Sequence, residues 1–345
     1  MIASRERAFA ALEWRESDGV ALEYSSNKDR AMFEHGQKII DLWERYPDDF
    51  GQCENSVLPC PNPTNYEADG TYHEYNTDKW GTTWEIHAFG ECGHPCKVPI
   101  ETEEQILAYS FPPVDYGREE DFLKYKQEIT NQKKKYFRRD GWVSFFEKLI
   151  ALRRYEDVLM DIAMDTDEIN LLADRLVDYQ SANIKKYIEA GTDAVLFGDD
   201  YGTQNSLIMS PESWRRFVKP RLKRMIAPIK EAGVKVMLHS CGQISEILED
   251  LKEVGVDSVW PQLGLYNDVE LADKCRDIQL ALALHLDRVH LMNLGGSAEI
   301  RAAVDRAVSV FQPQKGGSWF YVEVDTGFSF ENITALIEAI SAYRR

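Results

Sequence analysis

Cysteine is scarce: six residues in a chain of 345, too few and too scattered for a disulfide framework. Such thiols read as buried side chains or metal ligands of a reducing compartment. Long apolar runs are missing as well. No stretch of about 18 apolar residues occurs, so no membrane span is expected. The opening Met1-Ile2-Ala3-Ser4-Arg5-Glu6-Arg7 lacks the apolar core of a secretory leader. A cytoplasmic location is the expectation. Basic charge is in deficit, with 40 Lys and Arg against 58 Asp and Glu and a formal net charge of −18. Such a surface repels phosphate backbones and anionic lipid, so neither nucleic acid nor a membrane is an expected partner; a small-molecule substrate is. Finally, no glycine-rich dinucleotide loop follows any strand-like run, which weighs against a Rossmann fold.

What is present has an ordinary globular composition, 44% hydrophobic and 28% charged. Residues 50–140 are rich in Pro, Gly, Asn, Tyr and charge and show few clear periods. They read as long loops and short strands, a candidate cap over a site. From about 141 onward, strand-length apolar runs alternate with amphipathic helices. The stretches 141–165 and 166–191 have helical spacing, and Gly191 suits a helix stop. Ser210-Pro211-Glu212 is a helix start, with serine as the cap and proline in the first turn. Strand-like runs fall at 193–200, 234–241, 256–262, 279–287 and 318–325, with an earlier candidate at 18–26. Strand–helix alternation at this spacing predicts right-handed βαβ units and a parallel sheet. The expected architecture is α/β, a single (β/α)8 TIM barrel over 1–345 with an irregular, loop-rich N-terminal region.

Parallel strands are buried on both sides, so polar groups at their ends call for an explanation. In a barrel those ends carry the active site. Here they hold Asp199 and Asp200, His239 and Cys241, His285 and Asp287, and Glu323 and Asp325. Alternation puts Met237, His239 and Cys241 on one face and Val236 and Leu238 on the other. Trp319, Tyr321, Glu323 and Asp325 likewise oppose Phe320, Val322 and Val324, and Ala281, Ala283, His285 and Asp287 oppose the leucines. Three strands thus present a polar or small face to a common lumen. His-x-Cys at a strand end spans roughly 6–7 Å between Cα atoms, a gap that Zn2+ bridges with bonds of about 2.0 Å to nitrogen and 2.3 Å to sulfur. A third ligand is required. Glu323 is the first candidate, with Asp325 and Asp199 or Asp200 behind it.

The same residues carry a resemblance. The stretch "LHSCGQISEILEDLKEVGVDSVWPQ", with "SPESWRRFVKPRLKRMIAPIKEAG" before it, resembles the uroporphyrinogen decarboxylase superfamily, which includes zinc- and cobalamin-linked methyltransferases. "RERAFAALEWRESDGVALEY" is similar to its usual opening, so the likeness covers most of the chain. It implies a (β/α)8 barrel. The decarboxylase branch carries an Arg-rich N-terminal signature that gathers substrate carboxylates, and no such signature occurs here. The methyltransferase branch uses His-x-Cys and a later cysteine as zinc ligands. His239 and Cys241 match the first two, but no cysteine follows Cys275. Either Glu323 replaces the missing sulfur or zinc binding has been lost. The resemblance implies Zn2+ as cofactor and a corrinoid carried on a partner protein as methyl donor. A zinc-dependent methyltransferase is therefore the leading expectation. The alternatives are a metal-free decarboxylase, in which Asp199 or Asp200 stabilises a protonated pyrrole, and a non-catalytic barrel that binds a small molecule.

Other candidates carry two readings each. Asp199 and Asp200 either act on substrate, with Gln204 beside them, or bind backbone N–H groups in a helix-entry loop. His285 and Asp287 read as pocket walls, with a satisfied core histidine the rival for His285. Gln262 is a substrate-contact candidate. Cys92-Gly93-His94-Pro95-Cys96 reads as a structural turn rather than half of a metal knuckle, since no second pair has suitable spacing.

Overall fold

Aliphatic runs too short for helices, each followed by an amphipathic helix, find their backbone partners in one another and build a parallel sheet. The computed structural model describes residues 3–114 and 117–344. Its strands are β1 (Leu22–Tyr24), β2 (Glu74–Thr77), β3 (Thr83–Ile86), β4 (His94–Lys97), β5 (Arg139–Val143), β6 (Ala194–Gly198), β7 (Lys235–His239), β8 (Ser258–Trp260), β9 (Ala281–Leu284) and β10 (Ser318–Val322). Seven of them form one all-parallel sheet in the order β1-β10-β9-β8-β7-β6-β5.

The eight-strand expectation is met by seven strands, because among the described residues no strand pairs between β1 and β5. The segment Asp48–Phe50 crosses that seam instead. The Asp49 amide donates to the Leu22 carbonyl (2.8 Å), and the Phe137 amide donates to the Asp49 carbonyl (2.9 Å). Inside the sheet, Arg139 of β5 donates to Glu23 of β1, whose second carboxylate oxygen accepts from Trp319 Nε1 at 2.8 Å. The edge strands are thus joined through buried side chains where the backbone ladder is missing.

Alternation along the strands sorts the core as the sequence predicts. Val195, Phe197, Val236, Leu238, Leu282 and Phe320 pack outward under the helices. Ala194, Leu196, Met237, Ala281, Ala283, Trp319 and Tyr321 form a separate inner cluster with Phe50 and Phe137. Ala8, Ala11 and Leu12 of the helix Ser4–Leu12 belong to the same cluster, so this helix plugs the N-terminal end. The opposite, C-terminal end is left for function.

Helix boundaries follow their caps. Thr166 accepts the Ile169 amide to start Asp167–Ala190, and Gly191 stops it at φ 85°. Ser210 accepts the Ser213 amide to start Pro211–Phe217. The helical reading of 141–165 needs correction at its start, because Gly141-Trp142-Val143 belongs to β5. Pairing with β6 at Arg139↔Ala194 and Asp140↔Val195 supplies the backbone partners that local spacing could not foresee. Residues 50–140 hold an antiparallel sheet in the order β2-β3-β4 and the helices Glu103–Ala108 and Glu119–Gln132. This region is tied to the C-terminal side of the main sheet by Thr82 Oγ1 donating to the Ala151 carbonyl (2.7 Å) and by a Thr326–Glu91 hydrogen bond. Among the described residues no helix is long and apolar enough to cross a membrane.

Candidate metal centre at the mouth of the sheet

Strands β6 and β7 pair in register, with Gly198 opposite His239, and their neighbourhood persists beyond the strand ends. The Tyr201 amide donates to Ser240 Oγ (3.0 Å), and the Gln243 amide donates to the Thr203 carbonyl (2.7 Å). Two glycines make this approach possible. Gly242 turns at φ +77°, and a Cβ built on it would meet the Gly202 backbone at 2.2 Å. With the loops this close, the Cys241 amide donates to Asp200 Oδ1 at 2.8 Å.

Asp200, His239 and Cys241 form one group, with their ligand atoms within 4.8 Å of one another. His239 Nε2 lies 3.3 Å from Cys241 Sγ and 3.6 Å from Asp200 Oδ1. Four-coordinate zinc at its usual bond lengths separates its ligand atoms by roughly 3.3–3.8 Å, so the spacing fits. The donor set of imidazole, thiol and carboxylate suits Zn2+. His239 Nδ1 sits 3.0 Å from the Trp260 carbonyl, an acceptor only, so the ring proton stays on Nδ1 and the Nε2 lone pair faces the thiol. Burial lowers the His239 pKa and favours this neutral form. Burial, together with Asp200, pushes the Cys241 thiol up to about 12. An uncompensated thiolate is therefore disfavoured here, and a cation would reverse that balance.

The other sequence-derived candidates separate. Asp199 is fully buried and accepts the amides of Phe145 and Glu147 (both 2.9 Å) and the Tyr201 hydroxyl (2.9 Å). It secures the start of the helix Phe146–Leu152, and burial pushes it to about 7. Gln204 stands on an exposed loop. Gln262 accepts the Gly242 amide (3.1 Å) and so braces the Cys241 loop. His285 Nδ1 accepts from Trp260 Nε1 (3.0 Å), and burial, then the Arg288 charge, keep its pKa well below the usual range. Asp287 accepts the amides of Val289 (2.8 Å) and His290 (2.7 Å) and caps the turn that follows.

Glu323 is not grouped with His239 and Cys241. It accepts from Ser25 Oγ (3.2 Å) and faces Arg288 at 3.8 Å, while Arg288 sits 3.1 Å from Asp325. Its strand, β10, is three strands from β7, roughly 14 Å along the sheet at about 4.8 Å per strand. Burial, then the Asp325 charge, push Glu323 to about 7, so it holds or releases a proton near neutrality.

Sequence reasoning missed several neighbours of this group. Glu147 is pushed to about 7 by burial and by Asp199 and Asp200. Trp260 lies 4.1 Å from the His239 ring and 3.9 Å from the Tyr321 ring, centroid to centroid. Trp142, 54% exposed, lies 5.9 Å from His239. Arg288 is the cation beside Glu323 and Asp325. The signal for Trp260 was present, since it ends the "VDSVW" run on the same face as Ser258; Trp142 was hidden by the helical reading of its segment.

Residues 146–343 match the family "Uroporphyrinogen decarboxylase (URO-D)". A methylcobamide:CoM methyltransferase of Methanosarcina barkeri is 24% identical over 185 residues, 51% of this chain and 48% of that protein. A uroporphyrinogen decarboxylase of Myxococcus xanthus is 36% identical over 120 residues, 35% of this chain and 31% of that one. The chain thus spans half or less of the length of these curated relatives. A solved structure of a methyltransferase from Methanosarcina mazei superposes with a TM-score of 0.64 over 99% of both chains at 18% identity, a likeness of fold. The matched residues begin just after β5 and run through every later strand, including the loops that hold Asp200, His239, Cys241 and Glu323, and on this basis the chain belongs to the uroporphyrinogen decarboxylase family.

Proposed function

We propose that this chain is a zinc-dependent methyltransferase that moves a methyl group from a methylcorrinoid on a partner protein to a small nucleophilic acceptor. The observation that carries the reading is the Asp200–His239–Cys241 group, a nitrogen, a sulfur and an oxygen donor converging at the mouth with zinc-like spacing. Similarity to methylcobamide:CoM methyltransferases supports it. Asp200 takes the place that the family resemblance gave to a later cysteine and that Glu323 was expected to fill. Bound at these residues, Zn2+ would supply Lewis acidity that keeps a coordinated acceptor deprotonated near neutral pH.

The chain's own residues do the rest. Trp260 and Gln262 hold His239 and the Cys241 loop in place. Trp142, Trp260 and Tyr321 wall the mouth with aromatic surface that excludes water and offers faces to a flat substrate. Arg288 and Asp325 set the charge of Glu323 on the far side of the mouth.

The test is Co2+ binding to the purified full chain, read by the intense thiolate-to-metal absorption that a cysteine ligand produces. That band is expected in the wild type, absent in Cys241→Ser and weakened in Asp200→Ala. Demethylation of free methylcobalamin in the presence of simple thiols should follow the same pattern. No thiolate band in the wild type, or a band indifferent to His239→Ala, sinks the proposal. A metal-free decarboxylase would instead turn over uroporphyrinogen with Cys241→Ser unimpaired.

A further inference from the structure

A second constellation lies outside the mouth, on the β2–β3 hairpin of the 50–140 region. The antiparallel register pairs Glu74 with Ile86 and Tyr75 with Glu85, so His73 and His87 fall opposite each other one step beyond. Side chains two apart share a face of a strand, which places His73, Tyr75, Glu85 and His87 together. The two imidazole rings lie nearly parallel, 12° apart with centroids at 5.0 Å. His73 Nε2 is 2.8 Å and His87 Nε2 3.8 Å from the same oxygen, Glu85 Oε1. One ligand atom from each of the three lies within 4.8 Å of the other two. Behind them, Glu67 Oε1 stands 3.6 Å from His73 Nδ1, and the Tyr75 hydroxyl donates to Glu85 Oε1 at 2.8 Å.

We propose that His73, Glu85 and His87 form a second divalent-metal site, selective for Zn2+ or a similar imidazole-seeking ion. Two imidazoles and a carboxylate suit such ions and disfavour Mg2+ or Ca2+, which want an all-oxygen shell. An ion between the three takes over the position now spanned by the His73–Glu85 hydrogen bond. Glu67, 3.6 Å from the far nitrogen of His73, needs only a small side-chain shift to complete the carboxylate–histidine–metal arrangement that orients a ligand imidazole and raises its basicity. Three protein ligands leave a four-coordinate ion with an open position, and the 65% exposure of His87 turns that position to solvent. The site pins β2 to β3 across the hairpin and offers a place for water or a small anion. It depends on no residue of the mouth, so it stands or falls independently of the methyltransferase reading.

The experiment counts zinc with ZnCl2 as the probe, by titration against a competing chromophoric chelator. In the full chain carrying His239→Ala and Cys241→Ser, one equivalent of Zn2+ should remain, and adding His87→Ala should abolish it. His87 is exposed, so this change leaves the fold intact. Glu67→Gln, which keeps all three ligands, should weaken the remaining equivalent by about 10- to 100-fold. In the otherwise unaltered chain, His87→Ala should lower the total by one equivalent, which guards against a mouth variant that folds poorly. Absence of zinc from the mouth-variant chain together with no loss in His87→Ala alone overturns the proposal. So does residual zinc that survives both His87→Ala and Glu85→Gln.

Discussion

A buried Arg139–Glu23 ion pair spans the β1/β5 seam alongside the Asp48–Phe50 segment, and this makes Arg139→Met a demanding test. The Arg139 and Glu23 side chains retain only 5% and 2% exposure. Replacing the guanidinium by a thioether leaves the Glu23 carboxylate buried, with the Trp319 indole N–H as its remaining partner among the described contacts. An uncompensated buried charge of this kind costs about 3–5 kcal/mol. Glu23→Gln strands the opposite charge at a similar cost. The double variant holds a neutral amide beside a thioether, one hydrogen-bond partner short, and should cost about 1–3 kcal/mol. The two single losses would sum to about 6–10 kcal/mol if the sites were independent, so the cycle should return a coupling of about 3 kcal/mol or more. Urea unfolding at pH 7, followed by tryptophan fluorescence, measures all four proteins. A loss below about 1 kcal/mol for Arg139→Met, or a double variant as unstable as the sum, would refute the role of this pair in closing the seam.

The adjacent aspartates should separate cleanly. Asp199→Ala strands the Phe145 and Glu147 amides and the Tyr201 hydroxyl and should cost about 1–3 kcal/mol or more in urea unfolding, whereas Asp200→Ala should keep near-wild-type stability and lose zinc affinity. Gly198→Ala would place a methyl group 2.2 Å from the Trp142 ring. Because Trp142 is exposed it swings away, so the stability loss stays below the ~1–3 kcal/mol of core overpacking while tryptophan emission shifts and methylcobalamin turnover falls. Burial pushes Asp48 up to about 7, so the folded chain keeps a proton that the unfolded chain releases near pH 4. Stability contributed by that proton is lost as pH rises through this window, and the advantage of Asp48→Asn over wild type should grow between pH 4 and 7 by up to about 1.4 kcal/mol per unit. An advantage that shrinks with rising pH contradicts this assignment.

Much of the fold was legible because burial on two sides writes itself into strand sequences. The leucines of 280–284 and the Val236–Leu238 alternation told outer face from inner, and Phe320 and Val322 did the same for β10. Caps such as Thr166, Ser210 and Gly191 were legible because they satisfy local backbone groups. β5 was not, since Gly141-Trp142-Val143 precedes a genuine helix and only β6 makes it a strand. The His73–Glu85–His87 group was illegible for the same reason: it needs the hairpin register to bring residues 73 and 87 face to face.

By itself the sequence determined the periodicity, and with it a parallel α/β sheet whose polar strand ends gather at one mouth, and it singled out His239 and Cys241. Only the tertiary structure shows which carboxylate lies beside them. Asp200 lies beside Cys241 because β6 and β7 pair in register and Gly202 packs on Gly242, whereas Glu323 sits three strands away, held by Ser25 and Arg288. Residue type and strand position put Glu323 first and Asp200 behind it; the order of strands in the sheet, a matter of long-range pairing, sets Asp200 nearer.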